Sequence, residues 1–413
     1  MKALFGSQWK IPKEWGIVSL KDVTSDWRGG APFEPEDFTA EGFPVLHKGS
    51  IHRRGRIVID AKKKTFTTQE YAQSHQKSVI DNTYMAATLR DLVPSGPSIG
   101  LMADLSESPS DKYILAQGAY GFQLDASRLK PAYLVLLSNY EPFREYLKRY
   151  CVGSTQIHIR TPVFQELKIP LPPIAQQKRI AAILDKAEEL RGLRRQALGA
   201  LNAIAQSIFL EMFGDPATNP KGWDKGFLGD IAIFVGGGTP KRERPEYFEG
   251  SICWATSKDM KNEFLDDTQE YITPQAIEQS ATNLVPIGTI LIVVKSKILA
   301  HSLPVAITRV PTCFGQDIKG IKISERCTVA FVVTALRHSK RWLLERARGI
   351  NTEGLTLDHL KAFPLMLPPI SLQQEFARRV EAIEQLKTTH RESLTQLNAL
   401  FASLQHRAFR GDL

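Results

Sequence analysis

Apolar residues fall three and four apart along two stretches of this chain. In the first they occupy Ile180, Ile183, Ala187, Leu190, Ala197, Leu201, Ile204 and Ile208, with Arg194 standing in the stripe. In the second they occupy Val380, Ile383, Leu394, Leu397, Phe401 and Leu404, with Lys387 and His390 interrupting. A stripe of this spacing over about four heptads predicts two helices that pair through their apolar faces. The alternative is an amphipathic helix lying on its own domain, but each stripe finds its best-matched partner in the other. Each helix is expected to start just beyond a proline pair, Pro172–Pro173 and Pro368–Pro369. Proline lacks an amide donor and holds its predecessor extended, so neither helix begins earlier.

Elsewhere the pattern is that of mixed α and β structure. "RIVID" (56–60), "TILIVV" (289–294) and "IKGIKI" (318–323) have strand composition. "AYLVLLSNYEPFREYLKRY" (132–150) and "AFVVTALRHSKRWLLERARG" (330–349) each read as one helix. These elements come in two series. "LPPI" at Leu171 recurs 196 residues later at Leu367; the same offset carries Gly153 onto Gly349 and "LNAIAQS" at Leu201 onto "LNALFAS" at Leu397. "MFGD" at Met212 and "FRGD" at Phe409 close both helical stretches. Upstream, "PKEW" at Pro12 pairs with "PKGW" at Pro220, "RGGAP" at Arg28 with "GGGTP" at Gly236, and "LVPSG" at Leu92 with "LVPIG" at Leu284. A repeat this long is a duplication. The expected fold is α+β: two α/β domains alternating with two long helices that pair as an antiparallel coiled coil, giving a pseudo-two-fold internal repeat. Its boundaries are placed at 1–165 and 216–362 for the domains, and 166–215 and 363–413 for the helical regions.

Length and composition agree with this picture. The 413 residues suffice for two or three domains, with 43% hydrophobic and 23% charged residues. The longest strongly apolar run, "ILIVV" at 290–294, is too short to span a bilayer, and the amino terminus has no apolar core of signal-peptide length. The chain is therefore expected in the cytoplasm, without a membrane partner. Its four cysteines form no CxxC pair, so neither a zinc knuckle nor a disulfide framework is implied. A net charge of +9 points toward a polyanionic partner.

Positive charge gathers in the domains. Lys48, Arg53, Arg54 and Arg56 in "HKGSIHRRGR", together with Lys62 and Lys63, crowd the first; Lys241, Arg242, Lys258, Lys295 and Lys297 crowd the second. Arginine meets guanine bidentately and lysine mostly meets phosphate, so such loops suit a reader of double-stranded DNA. Gln316 in "CFGQDIKG" offers an adenine-reading carboxamide, or equally a structural one. "GGGTPKR" is followed by no GK[ST] and is not a phosphate loop; its glycines serve a tight turn or a close backbone approach. The chain carries no [DNS]PP[FYW] tetrapeptide, no S-adenosylmethionine glycine loop, no helicase motif, no HExxH and no ligand-spaced histidine pair. Together these argue against a catalyst and leave metal ligands unassigned. A helix of about 30 residues is about 45 Å long, about 13 base pairs of B-DNA, and so would act as a ruler.

Two variable domains, each followed by "LPPIAQQ" or "LPPISLQQ" and a long helix, resemble the DNA-specificity subunit of type I restriction-modification systems. The "GGTP" leader and the "LVPxG" segments are similar to those of its target-recognition domains, and the resemblance covers essentially the whole chain. Departures are "RGGAP" in place of "GGTP" and one residue inserted before the second pair of glutamines. The resemblance implies that each recognition domain reads half of a bipartite, asymmetric site while the helices set the spacer. It implies two sockets for two methyltransferase subunits, to which Pro172, Pro173, Gln176, Gln177, Pro368, Pro369, Gln373 and Gln374 are assigned. Adenine methylation with S-adenosylmethionine would then belong to those subunits, and cleavage and translocation with magnesium and ATP to restriction subunits; this chain would hold no cofactor and catalyse nothing. The competing readings are a methyltransferase–restriction fusion, for which no residues remain, and a coiled-coil scaffold or orphan decoy subunit.

Overall fold

The computed structural model describes Phe5 and residues 9–60, 65–347 and 354–413. Lys62 and Lys63 of the first basic cluster, and Gly349 of the Gly153 match, lie outside the described residues. The chain divides into two compact units, 1–193 with 393–413, and 194–392.

The first unit contains strands β1 (Gly16–Ser19), β2 (Thr24–Gly29), β3 (Phe43–Leu46), β4 (Met85–Thr88), β5 (Met102–Asp104), β6 (Lys112–Leu115), β7 (Ala119–Leu124) and β8 (Lys168–Leu171). Helices α1 (Pro131–Asn139) and α2 (Glu141–Lys148) follow β7, and the long helix α3 (Ile174–Phe213) starts directly after Pro173. The main sheet has the order β2–β7–β4–β5 and is antiparallel throughout. Beside it β3 and β6 run parallel, and β1 pairs antiparallel with β8, returning the chain to the start of α3.

The second unit repeats this plan. It contains β9 (Asp224–Phe227), β10 (Ala232–Gly236), β11 (Ile252–Ala255), β12 (Phe264–Leu265), β13 (Ile290–Val293), β14 (Val305–Thr308), β15 (Thr312–Phe314), β16 (Ile318–Ile323) and β17 (Pro364–Leu367), besides a short strand, Glu270–Ile272, paired with β11. Helices α4 (Val329–His338) and α5 (Lys340–Leu344) follow β16, and α6 (Ile370–Ala408) is the second long helix. The sheet order β10–β16–β13–β14 matches β2–β7–β4–β5, with β12 added in parallel beside β14. Parallel β11–β15 and antiparallel β9–β17 match β3–β6 and β1–β8. Both central strands carry a glycine at their third position because the sheet is crowded there. A Cβ on Gly121 would stand 2.8 Å from Ile80 Cγ2, and one on Gly320 2.9 Å from Phe314 Cζ.

Each domain core takes in the ends of the long helices. In the first unit Tyr133, Phe143, Phe164 and Leu167 cluster with Ile180 and Leu184 of α3, with Phe401 of α6 and with Phe409 just beyond its end. In the second, Phe331, Leu336 and Phe363 cluster with Phe209 and Phe213 of α3 and Phe376 of α6. Arg191 Nε donates to Asn398 Oδ1 at 2.7 Å in the first unit, and Arg194 stands 3.1 Å from His390 Nδ1 in the second. The polar residues that interrupt the two stripes thus meet each other. Lys387 is buried as well, 2.5 Å from Glu384.

The helix ends close the same way twice. A Cβ on Gly214, at φ +82°, would strike Pro220 Cγ at 2.6 Å; one on Gly411, at φ +78°, would strike Pro12 Cγ at 2.4 Å. Trp223 Nε1 donates to the Phe213 carbonyl at 2.9 Å, and Trp9 Nε1 to the equivalent Phe409 carbonyl at 2.7 Å. The carboxyl-terminal residues therefore dock on the amino-terminal segment as the covalently continuous ones dock at Gly214.

Several expectations are corrected. The long helices have 40 and 39 residues, not about 30. Leu190 and Ile204 leave the buried stripe and are 42% and 46% exposed, while Leu184 and Phe209 take the buried positions. The "RIVID" segment forms no strand: only Ile57 bridges, to Ile51, because the chain is turning at Arg53–Gly55. Each single domain helix is two helices, broken at Tyr140 and at Ser339, and Pro142 stands in the first turn of the second helix of the first pair. "LVPSG" follows β4 whereas "LVPIG" precedes β13, so those two segments are not equivalent.

Candidate DNA interface

The pairing of "RGGAP" with "GGGTP" reflects one shared crossing. After β2 the chain passes over the turn between β6 and β7, where a Cβ on Gly30 would lie 2.0 Å from the Ala116 carbonyl oxygen. After β10 it passes over the turn between β15 and β16, where a Cβ on Gly237 would lie 2.1 Å from the Gly315 carbonyl oxygen. Ala31 N donates to the Leu115 carbonyl at 2.8 Å, and Gly238 N to that of Phe314 at 2.9 Å. Only glycine lets two backbones approach so closely. The crossing pins a turn whose next residue is an exposed glutamine in both domains, Gln117 and Gln316.

Cations flank both glutamines. Leu89 N donates to the Gly118 carbonyl at 3.0 Å, placing Arg90 beside Gln117; Val294 N donates to the Asp317 carbonyl at 2.8 Å, placing Lys295 beside Gln316. Lys48, on the turn after β3, is close enough to Arg90 to feel it. Burial pushes the Lys48 ammonium below the usual lysine range, and the Arg90 charge pushes the same way. The Asp91 carboxylate nearby offsets part of this push. On the matching turn after β11, Lys258 lines a groove with Ser296, next to Lys295. Each domain therefore presents an exposed glutamine with a cation beside it, Gln117 with Arg90 and Gln316 with Lys295, and a lysine on the turn after β3 or β11, Lys48 or Lys258.

The other basic candidates separate into exposed and engaged. Arg56, Lys241 and Lys297 are exposed. Arg53 is exposed and 3.9 Å from Glu141. Arg242 lies 2.7 Å from Glu270 and over the Phe248 ring, at 4.4 Å, so its fork is partly committed to its own domain. Arg54 is a correction. It has φ +65°, its amide donates to Asn139 Oδ1 at 3.0 Å, and its guanidinium turns inward. There it meets Glu188 at 2.9 Å and covers the Phe401 ring at 4.2 Å, with Arg191 on the same ring at 4.6 Å. A carboxylate and an aromatic face engage this partly buried cation within its own unit. Gln117 and Arg90 were missed in the sequence because their equivalence depends on strand register.

The proline–glutamine motifs are also reassigned. Gln177 and Gln373 are fully buried. Gln177 Nε2 donates to the carbonyls of Pro172 and Arg128, both at 2.8 Å, and its Oε1 accepts from Lys130 N at 2.8 Å. Gln373 Nε2 donates to Pro368 at 2.8 Å and Arg326 at 3.4 Å, and its Oε1 accepts from Thr328 N at 3.0 Å. These two glutamines, 196 residues apart, are the equivalent pair; no residue is inserted before them. They tie each long helix to the segment before α1 or α4 and, with buried Pro172 and Pro368, cannot be reached by another chain. Pro173, Pro369 and Gln374 are exposed, and Gln176 is half-buried. Exposed instead are apolar residues at repeated positions: Leu190 and Leu386, 42% and 52% exposed, and Ile204 and Leu400, 46% and 49% exposed.

Among the described residues no group of three or more His, Cys, Asp or Glu side chains is placed to hold a metal, and no helix is long and apolar enough to cross a membrane.

The model of the type I restriction modification DNA specificity domain matches this chain twice, over residues 12–202 and 220–399. The chain belongs to that family. The specificity subunit of the Escherichia coli type I restriction enzyme EcoR124I/EcoR124II is 29% identical over 235 residues, 54% of this chain and 57% of that protein, so the chain spans little more than half that relative's length. A putative MjaX specificity subunit of Methanocaldococcus jannaschii is 23% identical over 410 residues, covering 94% of this chain and 91% of the relative. The crystal structure of the S subunit of a type I restriction-modification system from M. genitalium superposes with a TM-score of 0.58 at 15% identity, covering 97% and 98% of the two chains. That likeness shows a shared fold.

Proposed function

We propose that this chain is the non-catalytic DNA-specificity subunit of a type I restriction-modification complex. Each domain reads one half of a bipartite, asymmetric site in double-stranded DNA. The observation that carries this reading is the exposed glutamine with a cation beside it, repeated next to a glycine crossing in both domains. A glutamine carboxamide meets adenine N6 and N7 in the major groove, and cations beside it meet phosphates on either side.

The long helices pair antiparallel as a coiled coil, and their length sets the spacer. Arg191 with Asn398 and Arg194 with His390 support this pairing and its register. Methyltransferase subunits dock on the apolar positions repeated along the helices, Leu190 with Leu400 and Leu386 with Ile204, one subunit on each pair. A duplicated patch fits two copies of one partner, and leucines on otherwise polar helix faces are the residues that such an interface buries. Pro173, Pro369, Gln176 and Gln374 lie near the helix starts and can extend these sockets. Adenine methylation with S-adenosylmethionine is assigned to those partners, and cleavage with ATP and magnesium to restriction subunits.

The test compares Gln117→Ala with Gln316→Ala in the complex with its methyltransferase. Each should relax one base position, by about 1–3 kcal/mol, in a different half of the site. Relaxation in neither half would refute the assignment of these glutamines as readers.

A further inference from the structure

The second domain contains an opening that the first has filled. A groove of about 690 Å³ lies between the turn after β11 and the connection from β13 to β14. Ser257, Lys258, Lys261 and Asn262 line one wall; Ser296 and Ser302 line the other. Arg337 of α4 forms the floor and joins the walls. Its Nη1 lies 2.6 Å from Glu263 on one side, and its Nη2 donates to the Val305 carbonyl at 3.0 Å on the other. Glu263 is the only carboxylate among the lining residues and is spent on Arg337. Exposed Lys295 and Lys297 stand at or next to the second wall.

In the first domain the corresponding residue of α1 is Asn139, the ninth of its helix as Arg337 is of α4. Asn139 Oδ1 accepts from Arg54 N, and the Arg53–Gly55 turn packs down on α1. A Cβ on Gly55 would be only 3.0 Å from Val135 Cγ1 and 3.3 Å from Ala103 Cα. That space is thus occupied by the protein's own backbone.

We propose that the groove of the second domain takes a further stretch of the DNA duplex next to the base read by Gln316. Lys261 and Lys297 hold phosphates on its two sides, and Asn262 reads an adenine edge at one additional base pair. The inference rests on the DNA-reading function proposed above and deepens it. Its chemistry follows from the lining: cations with no free carboxylate attract phosphate, and an exposed carboxamide carries the donor–acceptor pair that matches adenine N6 and N7. Arg337 bonds to both walls, to Glu263 on one and to the Val305 carbonyl on the other. It follows that the second half-site has one more fixed position on this side than the first domain can supply.

The experiment is selection from random DNA by the full chain with its methyltransferase subunit, for wild type, Asn262→Ala and the pair Lys261→Gln with Lys297→Gln. Asn262→Ala should collapse a preference of about tenfold or more at one position of the second block and leave the first block intact. The first block reports that the variant is folded. The lysine pair should weaken all sequences alike and lower the slope of log affinity against log salt by about 2. An unchanged motif with Asn262→Ala and an unchanged salt slope with the lysine pair would overturn the groove assignment while leaving the general reading in place. A wild-type selection without any gapped motif would overturn both.

Discussion

Replacing Gln177 by alanine removes a side chain that satisfies three backbone groups at once. The Lys130 amide and the Pro172 and Arg128 carbonyls, each 2.8 Å away, lose their partner at a fully buried site. A buried polar group left unpaired costs about 1–3 kcal/mol, and some of that is recovered where water enters the space vacated. The expected loss is about 3–5 kcal/mol. For a unit of about 200 residues each kcal/mol lowers the melting temperature by about 2–4 °C, so the unit should melt roughly 10 °C earlier. Gln373→Ala should act in the same direction on the other unit and cost somewhat less, because its equivalent bonds are longer, at 2.8, 3.4 and 3.0 Å. Gln177→Met keeps much of the volume but none of the bonds, and separates packing from hydrogen bonding; it should lose nearly as much as alanine. Calorimetry of the free chain, with hydrogen exchange to tell the units apart, measures this. A melting temperature within about 2 °C of wild type for Gln177→Ala would refute the view that this glutamine joins helix to domain. It would return the residue to the list of partner contacts.

If methyltransferase subunits dock as proposed, Leu386→Glu should cost the complex one of them, read as a change in mass by native mass spectrometry, while DNA binding by the domains persists; an unchanged mass would move the socket elsewhere. Arg54→Ala should destabilise the first unit by about 1–2 kcal/mol through the lost Glu188 pair and Phe401 stacking, with no change in the sequence read. A change in specificity instead would make Arg54 a DNA contact. His338 packs on Phe209 with ring centroids 5.1 Å apart, and burial holds its pKa below the ordinary histidine value. The unfolded chain therefore binds the proton more readily. The second unit should keep this part of its stability above about pH 6.5 and lose it as pH falls further. His338→Gln should flatten that slope in urea titrations between pH 7 and 5.

Much of this architecture was legible in the sequence because duplication wrote it twice. "LPPI" and "LNA" recur at one offset, and the helical stripes between them needed only periodicity to read. "IKGIKI" coincides with β16 to the residue, since its three isoleucines favour a strand although apolar and polar positions do not alternate along it. What stayed hidden depended on contacts distant in sequence. Arg54 sits in a basic run and reads as solvated charge, yet Glu188 and Phe401, more than a hundred residues away, hold it inside. The glutamine pairs invited alignment with each other, but only Gln177 and Gln373 are equivalent, which shows once their hydrogen bonds are compared. Gln117 and Gln316 share little flanking sequence beyond a downstream glycine. The register of β7 and β16 brings them to the same place. The "LVPSG" and "LVPIG" match failed for the opposite reason: nearly identical letters fell after β4 in one domain and before its counterpart β13 in the other.

The central claim is that one chain reads two separated half-sites. Selection from random DNA by the chain with its methyltransferase subunit, followed by sequencing of what binds, tests it most directly. The account predicts two short fixed blocks with a constant unread spacer, and an adenine among the fixed positions of each block. A single contiguous motif, or no enrichment, would contradict it.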